Sequence, residues 1–387
     1  MQGRWEDLFE DSCHLGMVEK SRWDTRDNGD KFIITAEGVT DLYVRRCYDD
    51  LYRILDEQWR GVKQRGFGVP HQCALITGTP GIGKSVFGLV LAKFIMQREK
   101  PALIFYKHFG SGRYLKMFWQ GSHYLIDHME AMRLVNRIVN CKELFSECLH
   151  DLDAIEIWSI ADTQLPIEFN CINQVCIASP GIAEASQEDN IKLWRKNNLA
   201  LKLTMPPCNW DEILNIRLAL WVSFRGSPDE HCPLGPLKDR FNVWGGVPRT
   251  LLLEPMVLLE SEAKFRQLNI AAAMEYLGTS TVDHGKHSRR IFHLLPSFSM
   301  IDKEDENTTL LDKYQRNSVF WWATPVLEQR AWMQFRESQE ADVLDFIQSL
   351  SGNESTSRGK AWEAEIHHLS SSALVFKGPF VTWRQAK

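Results

Sequence analysis

The stretch CALITGTPGIGKSVFGLVLAKFI, residues 73–95, decides the fold. Its middle, Gly78 to Ser85, reads GTPGIGKS and fits G-x-x-x-x-G-K-[ST], a pattern whose glycines let backbone N–H groups turn toward phosphate oxygens. Before it, Cys73–Thr77 is a short apolar run of the kind a buried parallel strand needs. After it, Val86, Phe87, Val90, Leu91, Phe94 and Ile95 recur at helical spacing. Strand, glycine loop and helix N-terminus in that order form the setting in which this pattern holds nucleotide phosphates. A glycine-rich turn that merely precedes a helix is the bland alternative, and the three elements together argue against it.

The residue types carry the chemistry. Gly78, Gly81 and Gly83 supply permissive torsions and close approach, Thr79, Pro80, Ile82 and Val86 complete the cradle, and the helix starting near Lys84 aims unpaired N–H groups and its positive end at an anion. Lys84 is expected to be an exposed loop cation that reaches the β and γ phosphates of ATP, and Ser85 to offer its hydroxyl to the Mg²⁺ that bridges them. Such a site needs a carboxylate at the end of a neighbouring strand to hold Mg²⁺ through water. Asp162, after the apolar run Ile155–Ala161, satisfies this, whereas Asp151 and Asp153 precede the run and fall at its wrong end. An ordinary strand-terminating turn is the alternative for Asp162. The residues after it are Thr163 and Gln164 rather than a water-polarising glutamate. Slow hydrolysis is therefore expected, or help from Gln164, Glu168 or a partner.

Two further positions are candidates. Ser179 follows the run Gln174–Ala178 and would sit near the γ phosphate if that strand lies beside the loop strand; a plain Ser-Pro-Gly turn explains it equally. Arg240 and Arg249 flank the turn Gly245-Gly246-Val247-Pro248, where an arginine would touch phosphate and report its loss. Surface ion pairing is the competing reading.

Composition bounds the rest. The chain has 387 residues, 44% of them hydrophobic, enough for two or three domains with substantial cores. A net charge of -5 argues against nonspecific binding to nucleic acid or membrane by the chain as a whole. The basic run Lys286–Arg290 reads as a solvated segment. Nine cysteines lack metal or redox spacing, which fits reduced, buried thiols and an intracellular setting. No run approaches the length of a membrane helix. Fourteen tryptophans are assigned to core packing by default.

The expected organisation is an α/β core with a doubly wound parallel sheet and a helical second lobe. Residues 1–60 form an N-terminal segment with a helix over Tyr43–Leu55, and residues 61–254 form the core. Its further strands are Ala102–Tyr106, Ile155–Ala161, Gln174–Ala178 and Leu199–Leu203, with a hairpin inserted at Phe109–Ile126. Asn209 and Glu212 stand at capping-box spacing ahead of a helix through Ile213, Ile216 and Leu220. Residues 255–350 read as the helical lobe, including Val257–Gln267 and Ala341–Leu350, and residues 351–387 as a linker followed by a helix and strand.

GTPGIGKS, Leu42–Tyr48, Ala178-Ser179-Pro180, Met205–Glu212 and Gly245–Arg249 together resemble the P-loop ATPase region of Crinkler effectors, and of the related retrotransposon hot spot proteins of trypanosomes. The resemblance runs from about Lys31 to the end of the chain. It implies an ATPase module like those of AAA and STAND proteins, using ATP and Mg²⁺ and acting inside host cells after secretion, in the cytoplasm or nucleus. DNA, a host protein or a further copy of the chain are the partners it leaves open, and a nucleotide-loaded switch with negligible turnover is the alternative activity. The ubiquitin-like header usual in Crinklers has no counterpart in this sequence. Gly359–Leu369 with Ala373–Lys377 resembles the opening of a nuclease domain fused to some Crinklers, but no following Asp and Glu-x-Lys appear, so no nuclease activity is expected.

Overall fold

The computed structural model describes residues 32–34, 41–63, 73–99, 101–107, 114–119, 122–144, 156–166, 173–180, 191, 194–196, 198–223, 227–253, 255–270, 273, 277, 291–296, 309–315 and 318–338. Its centre is a seven-stranded sheet in the order β6-β5-β4-β7-β8-β3-β9. The strands are β3 (Cys73–Thr77), β4 (Ala102–Lys107), β5 (Tyr114–Trp119), β6 (Ser122–Asp127), β7 (Glu156–Asp162), β8 (Asn173–Ile177) and β9 (Leu201–Thr204). β4, β7, β8, β3 and β9 run parallel, and the hairpin β5–β6 adds antiparallel to the outer side of β4. The fold is thus mixed α/β with a mostly parallel sheet, and the expected insertion is this hairpin, its start at 108–113 lying outside the described residues.

Strand alternation explains why both faces are covered. On β4, Ile104 and Tyr106 face a core built with α1 (Arg46–Lys63) and α2 (Lys84–Met96). Leu103 and Phe105 face the opposite core, made with β5, Ile126 and the helix α3 (His128–Leu144). Leu75, Cys176, Ile191 and Trp194 close that same side nearer β3. Two boundaries shift from expectation. Tyr43 belongs to a small antiparallel pair, β1 (Phe32–Ile34) with β2 (Asp41–Tyr43), and the helix starts only at Arg46. β9 begins two residues late because Leu199, 82% exposed, sits in a turn at φ 48°, a torsion that a strand excludes.

The second core is built around α4 (Trp210–Ser223), α5 (Pro228–His231), α6 (Leu234–Trp244), a π-turn at Arg249–Leu253, α7 (Pro255–Arg266) and α9 (Pro325–Ser338), whereas α8 (Leu310–Gln315) packs in the first core. The expectation of a helical second lobe needs one correction: β10 (Phe292–Leu295) and β11 (Val319–Trp322) pair antiparallel within it. Phe292, Leu294, Phe320 and Trp322 enter the core, while on the other face His293 is buried and Leu295, Val319 and Trp321 are half-buried. The core draws on residues from Cys208 onward, on both sides of position 255. The reciprocal capping box of α4 is present, with Glu212 N donating to Asn209 Oδ1 at 2.8 Å and Asn209 N to Glu212 Oε2 at 3.1 Å. Trp59, Trp119, Trp158, Trp194, Trp244, Trp322 and Trp332 are buried, in line with a packing role for tryptophan. Residues 1–31, Ala341–Leu350, Lys286–Arg290 and the 351–387 segment lie outside the described residues.

Candidate functional site

The loop Gly78–Gly83 leaves the carboxyl end of β3, between β8 and β9, where ligands of open α/β sheets bind. Gly78, Gly81 and Gly83 have φ of 149°, 86° and 100°, in the region that favours glycine. Gly83 is the N-cap of α2, which begins at Lys84. Most of the loop's carbonyls turn into the protein. Those of Gly78 and Thr79 accept from Lys84 Nζ at 2.8 and 2.9 Å, and that of Gly81 from Arg249 N at 3.5 Å. Ile82 O accepts from Arg45 Nη1 at 2.8 Å; Gly83 O accepts from Tyr48 Oη at 2.8 Å and Phe87 N at 2.9 Å. Among the described residues the amides of Gly81, Ile82, Gly83 and Ser85 donate to no backbone carbonyl. A concave run of such amides at a helix N-terminus is an anion nest.

Lys84 departs from expectation. It is only 8% exposed, because its ammonium folds back on the loop's own carbonyls; a long cation can bury its stem and still satisfy its charge this way. Ser85 is exposed, its side chain open to solvent at the start of α2. Pro80 is half-buried and Ile82 fully buried against the core, with Val86 packed beside it.

Asp162 ends β7 and is 3% exposed. Its backbone partner on β8 is Ile177, whose partner on β3 is Ile76. β8 therefore separates Asp162 from the loop strand by two strand spacings, about 10 Å. The same order puts β8 beside β3, so Ser179 lies next to the loop strand, buried two residues beyond Ile177. The sheet thereby gathers the loop, Asp162 and Ser179 at one edge. Tyr106, from β4, joins them: its hydroxyl reaches Ser85 O at 3.4 Å, and burial with the nearby Asp162 charge holds it well above the ordinary phenol range. Burial likewise, with Asp162 adding to it, raises the Cys176 thiol to about 12, so this cysteine is inert.

Directly after Asp162, Thr163 sits at φ 60°, unusual for a β-branched residue. Its amide donates to Ile177 O at 2.7 Å and its hydroxyl to Asp162 O at 2.7 Å. Gln164 is half-buried. Glu168, Asp151 and Asp153 fall outside the described residues. Among the described residues there is no cluster of three His, Cys, Asp or Glu side chains fit to hold a metal. A divalent ion at this edge would take its ligands from Ser85, water and phosphate, with Asp162 behind, which matches a hydroxyl in the open and one buried carboxylate.

The two candidate arginines separate. Arg240 donates to Leu251 O at 3.1 Å and Pro236 O at 3.1 Å, so it braces α6 against the π-turn and does not point to the loop. Arg249 lies against it: an added Cβ on Gly81 would stand 3.0 Å from Arg249 Cβ and 3.1 Å from Val247 Cγ1. Arg249 is exposed.

Sequence reasoning missed the groups behind the loop. Arg45 is 1% exposed and donates also to Pro206 O at 3.0 Å and Glu212 Oε2 at 3.1 Å. Thr79 Oγ1 accepts from Leu294 N of β10 at 3.0 Å. Nothing in the spacing signals either, since the partners are 167 and 215 positions apart.

No protein-family model matches the chain, and no curated protein does. Among solved structures, an AMPPCP-bound DnaA from Aquifex aeolicus aligns over 86% of this chain and 92% of its own at 11% identity, with a TM-score of 0.25. A likeness at that level carries no argument. No helix among the described residues is long and apolar enough to cross a membrane.

Proposed function

We propose that the chain is a P-loop nucleotide-binding module that takes ATP with Mg²⁺ at Gly78–Ser85 and hydrolyses it. The observation that carries this reading is the orientation of the loop: carbonyls drawn back by Lys84, Arg45, Tyr48 and the Arg249 amide, with the amides of Gly81, Ile82, Gly83 and Ser85 left for an anion at a helix N-terminus. Mg²⁺, when bound, neutralises phosphate charge as it develops. Lys84 binds the phosphates by exchanging loop carbonyls for phosphate oxygens, Ser85 and Asp162 serve the metal, and Ser179 and Arg249 are the polar groups placed to sense the γ end.

A second reading, a loaded switch with negligible turnover, is favoured by one observation. The position after Asp162 holds a threonine whose hydroxyl is turned back onto the Asp162 carbonyl, so it does not polarise water. Resemblance of the sequence motifs to Crinkler ATPase regions supports an ATPase of AAA or STAND type that acts inside a host cell, on DNA or a host protein.

Nucleotide binding and steady-state turnover by the purified chain, beside Lys84→Ala and Asp162→Asn, test these readings. Turnover lost in Lys84→Ala, and reduced in Asp162→Asn far more than ATP affinity, supports the ATPase. Tight ATP binding without turnover selects the switch. ATP bound equally by parent and Lys84→Ala overturns both.

A further inference from the structure

We infer that Arg45, seconded by Tyr48, is the positioning residue of the phosphate site, turning the peptide between Ile82 and Gly83 so that its amide faces the anion. The inference rests on the nucleotide-binding reading above.

A trans peptide is planar, with C=O and N–H pointing opposite ways. Whatever holds the Ile82 carbonyl therefore aims the Gly83 N–H. Arg45 Nη1 is the donor to that carbonyl, at 2.8 Å. The neighbouring peptide is fixed twice over, since Gly83 O accepts from the first bond of α2, from Phe87 N, and from Tyr48 Oη. Tyr48 also occupies the space beside Gly83 that a methyl would need. Arg45 is the last residue before α1, and Tyr48 lies in its first turn.

Arg45 is itself oriented. Its second terminal nitrogen bridges Pro206 O and Glu212 Oε2, and that carboxylate oxygen also caps α4 through Asn209 N. The guanidinium is thus pinned between the loop, the segment after β9 and the capping box. Burying a guanidinium is expensive, and replacing a buried ion pair by apolar side chains is often neutral or stabilising. Packing alone would be served by a leucine. A planar fork with several donors does what an apolar residue cannot: it holds a carbonyl in one direction and sets a fixed positive charge behind the phosphates.

Calorimetric titration of the full chain with MgATP and with inorganic tripolyphosphate tests this, in the parent, Arg45→Met, Arg45→Lys, Tyr48→Phe and Lys84→Ala, well below each melting temperature and with folding checked by near-UV circular dichroism. Arg45→Met is expected to lose about 30-fold or more in affinity for both ligands, the loss of a charged hydrogen bond and its orientation. Arg45→Lys should recover part of it, because one ammonium reaches one carbonyl. Tyr48→Phe should lose about threefold, since Phe87 N still holds Gly83 O. A folded Arg45→Met within threefold of the parent overturns the inference. Should Arg45→Met not fold, parent-like affinity in both Arg45→Lys and Tyr48→Phe overturns it. A parent that binds neither ligand sinks the nucleotide reading and this one together, and is recognised because Lys84→Ala is then equally silent.

Discussion

The two cores of this protein solve burial differently. The first is a parallel sheet whose strands pair residue by residue and whose helices cover both faces. The second is assembled from short helices, a π-turn and a two-stranded ribbon around Trp244, Phe265, Phe292, Trp322 and Phe335. Among the described residues both parts hold buried polar atoms without a protein partner: His293 Nε2, Ser318 Oγ, Trp322 Nε1 and Trp332 Nε1 in the second, and Arg45 Nε, Thr77 Oγ1 and His128 Nδ1 around the sheet. Each such atom opposes folding. The lesson is that the sheet positions the loop through one continuous ladder of strands, while the second core depends on side-chain packing between separate elements.

That contrast breaks most sharply at Gly246. A methyl there would overlap the Cys208 carbonyl, with the Cys208 nitrogen 2.9 Å away, where two backbone segments meet. Gly246→Ala is expected to destabilise the protein by about 3 kcal/mol or more, read by denaturant unfolding. Gly235→Ala in α6, with nothing within 4 Å of the new methyl, serves as its control and should be neutral or stabilising by about 0.5–1 kcal/mol.

Acid should separate the cores next. Burial holds His293 neutral, lowering its pKa to about 4 from the ordinary 6.5. Because the unfolded chain binds this proton more readily, the contribution is present above pH 6.5 and is lost as pH falls toward about 4; it amounts to about 3 kcal/mol. Thermal melts between pH 7 and 4 should show that slope, and His293→Leu should flatten it. An unchanged slope would mean that His293 is not the acid-labile group.

The smallest effect sharpens the link between cores. Thr79→Val removes the acceptor of Leu294 N, and about 1–2 kcal/mol of stability should go with it. ATP affinity should fall by less than tenfold, since the loop keeps its other donors. Limited proteolysis should find the Phe292–Leu295 strand more accessible in the variant; equal cleavage rates would show that the hydrogen bond does not couple the cores.

Legibility followed locality. The strand, glycine loop and helix around Gly78–Ser85 were readable because the whole unit is built from consecutive residues. The positions of Asp162 and Ser179 at strand ends were readable because an apolar run there meets a polar residue, and the sheet order sets both at one edge. The capping box at Asn209 and Glu212 was legible for the same reason, but its second use, holding Arg45, was not. Arg45, Tyr48 and Tyr106 act through contacts that only the tertiary fold creates. Arg240 and Arg249 looked equivalent in sequence; packing sends one to Leu251 O and the other to Gly81. β10 and β11 were missed because each is only four residues long and apolar residues such as Leu295, Val319 and Trp321 also stand on the face away from the core, which leaves little alternation to read. Lys84 was read as exposed because sequence cannot show a side chain folding back on its own loop.

The chain returns to its first core after building its second. Tyr314 of α8 packs there and donates to Asp50 of α1 at 2.8 Å, across 264 positions. During synthesis the glycine loop leaves the ribosome more than two hundred residues ahead of α8, and at roughly 5–20 residues per second it waits on the order of 10–50 s for the pieces that complete its surroundings. Through that interval the nascent chain carries the loop without Tyr314, so the packing of α8 against α1 is completed only late in translation.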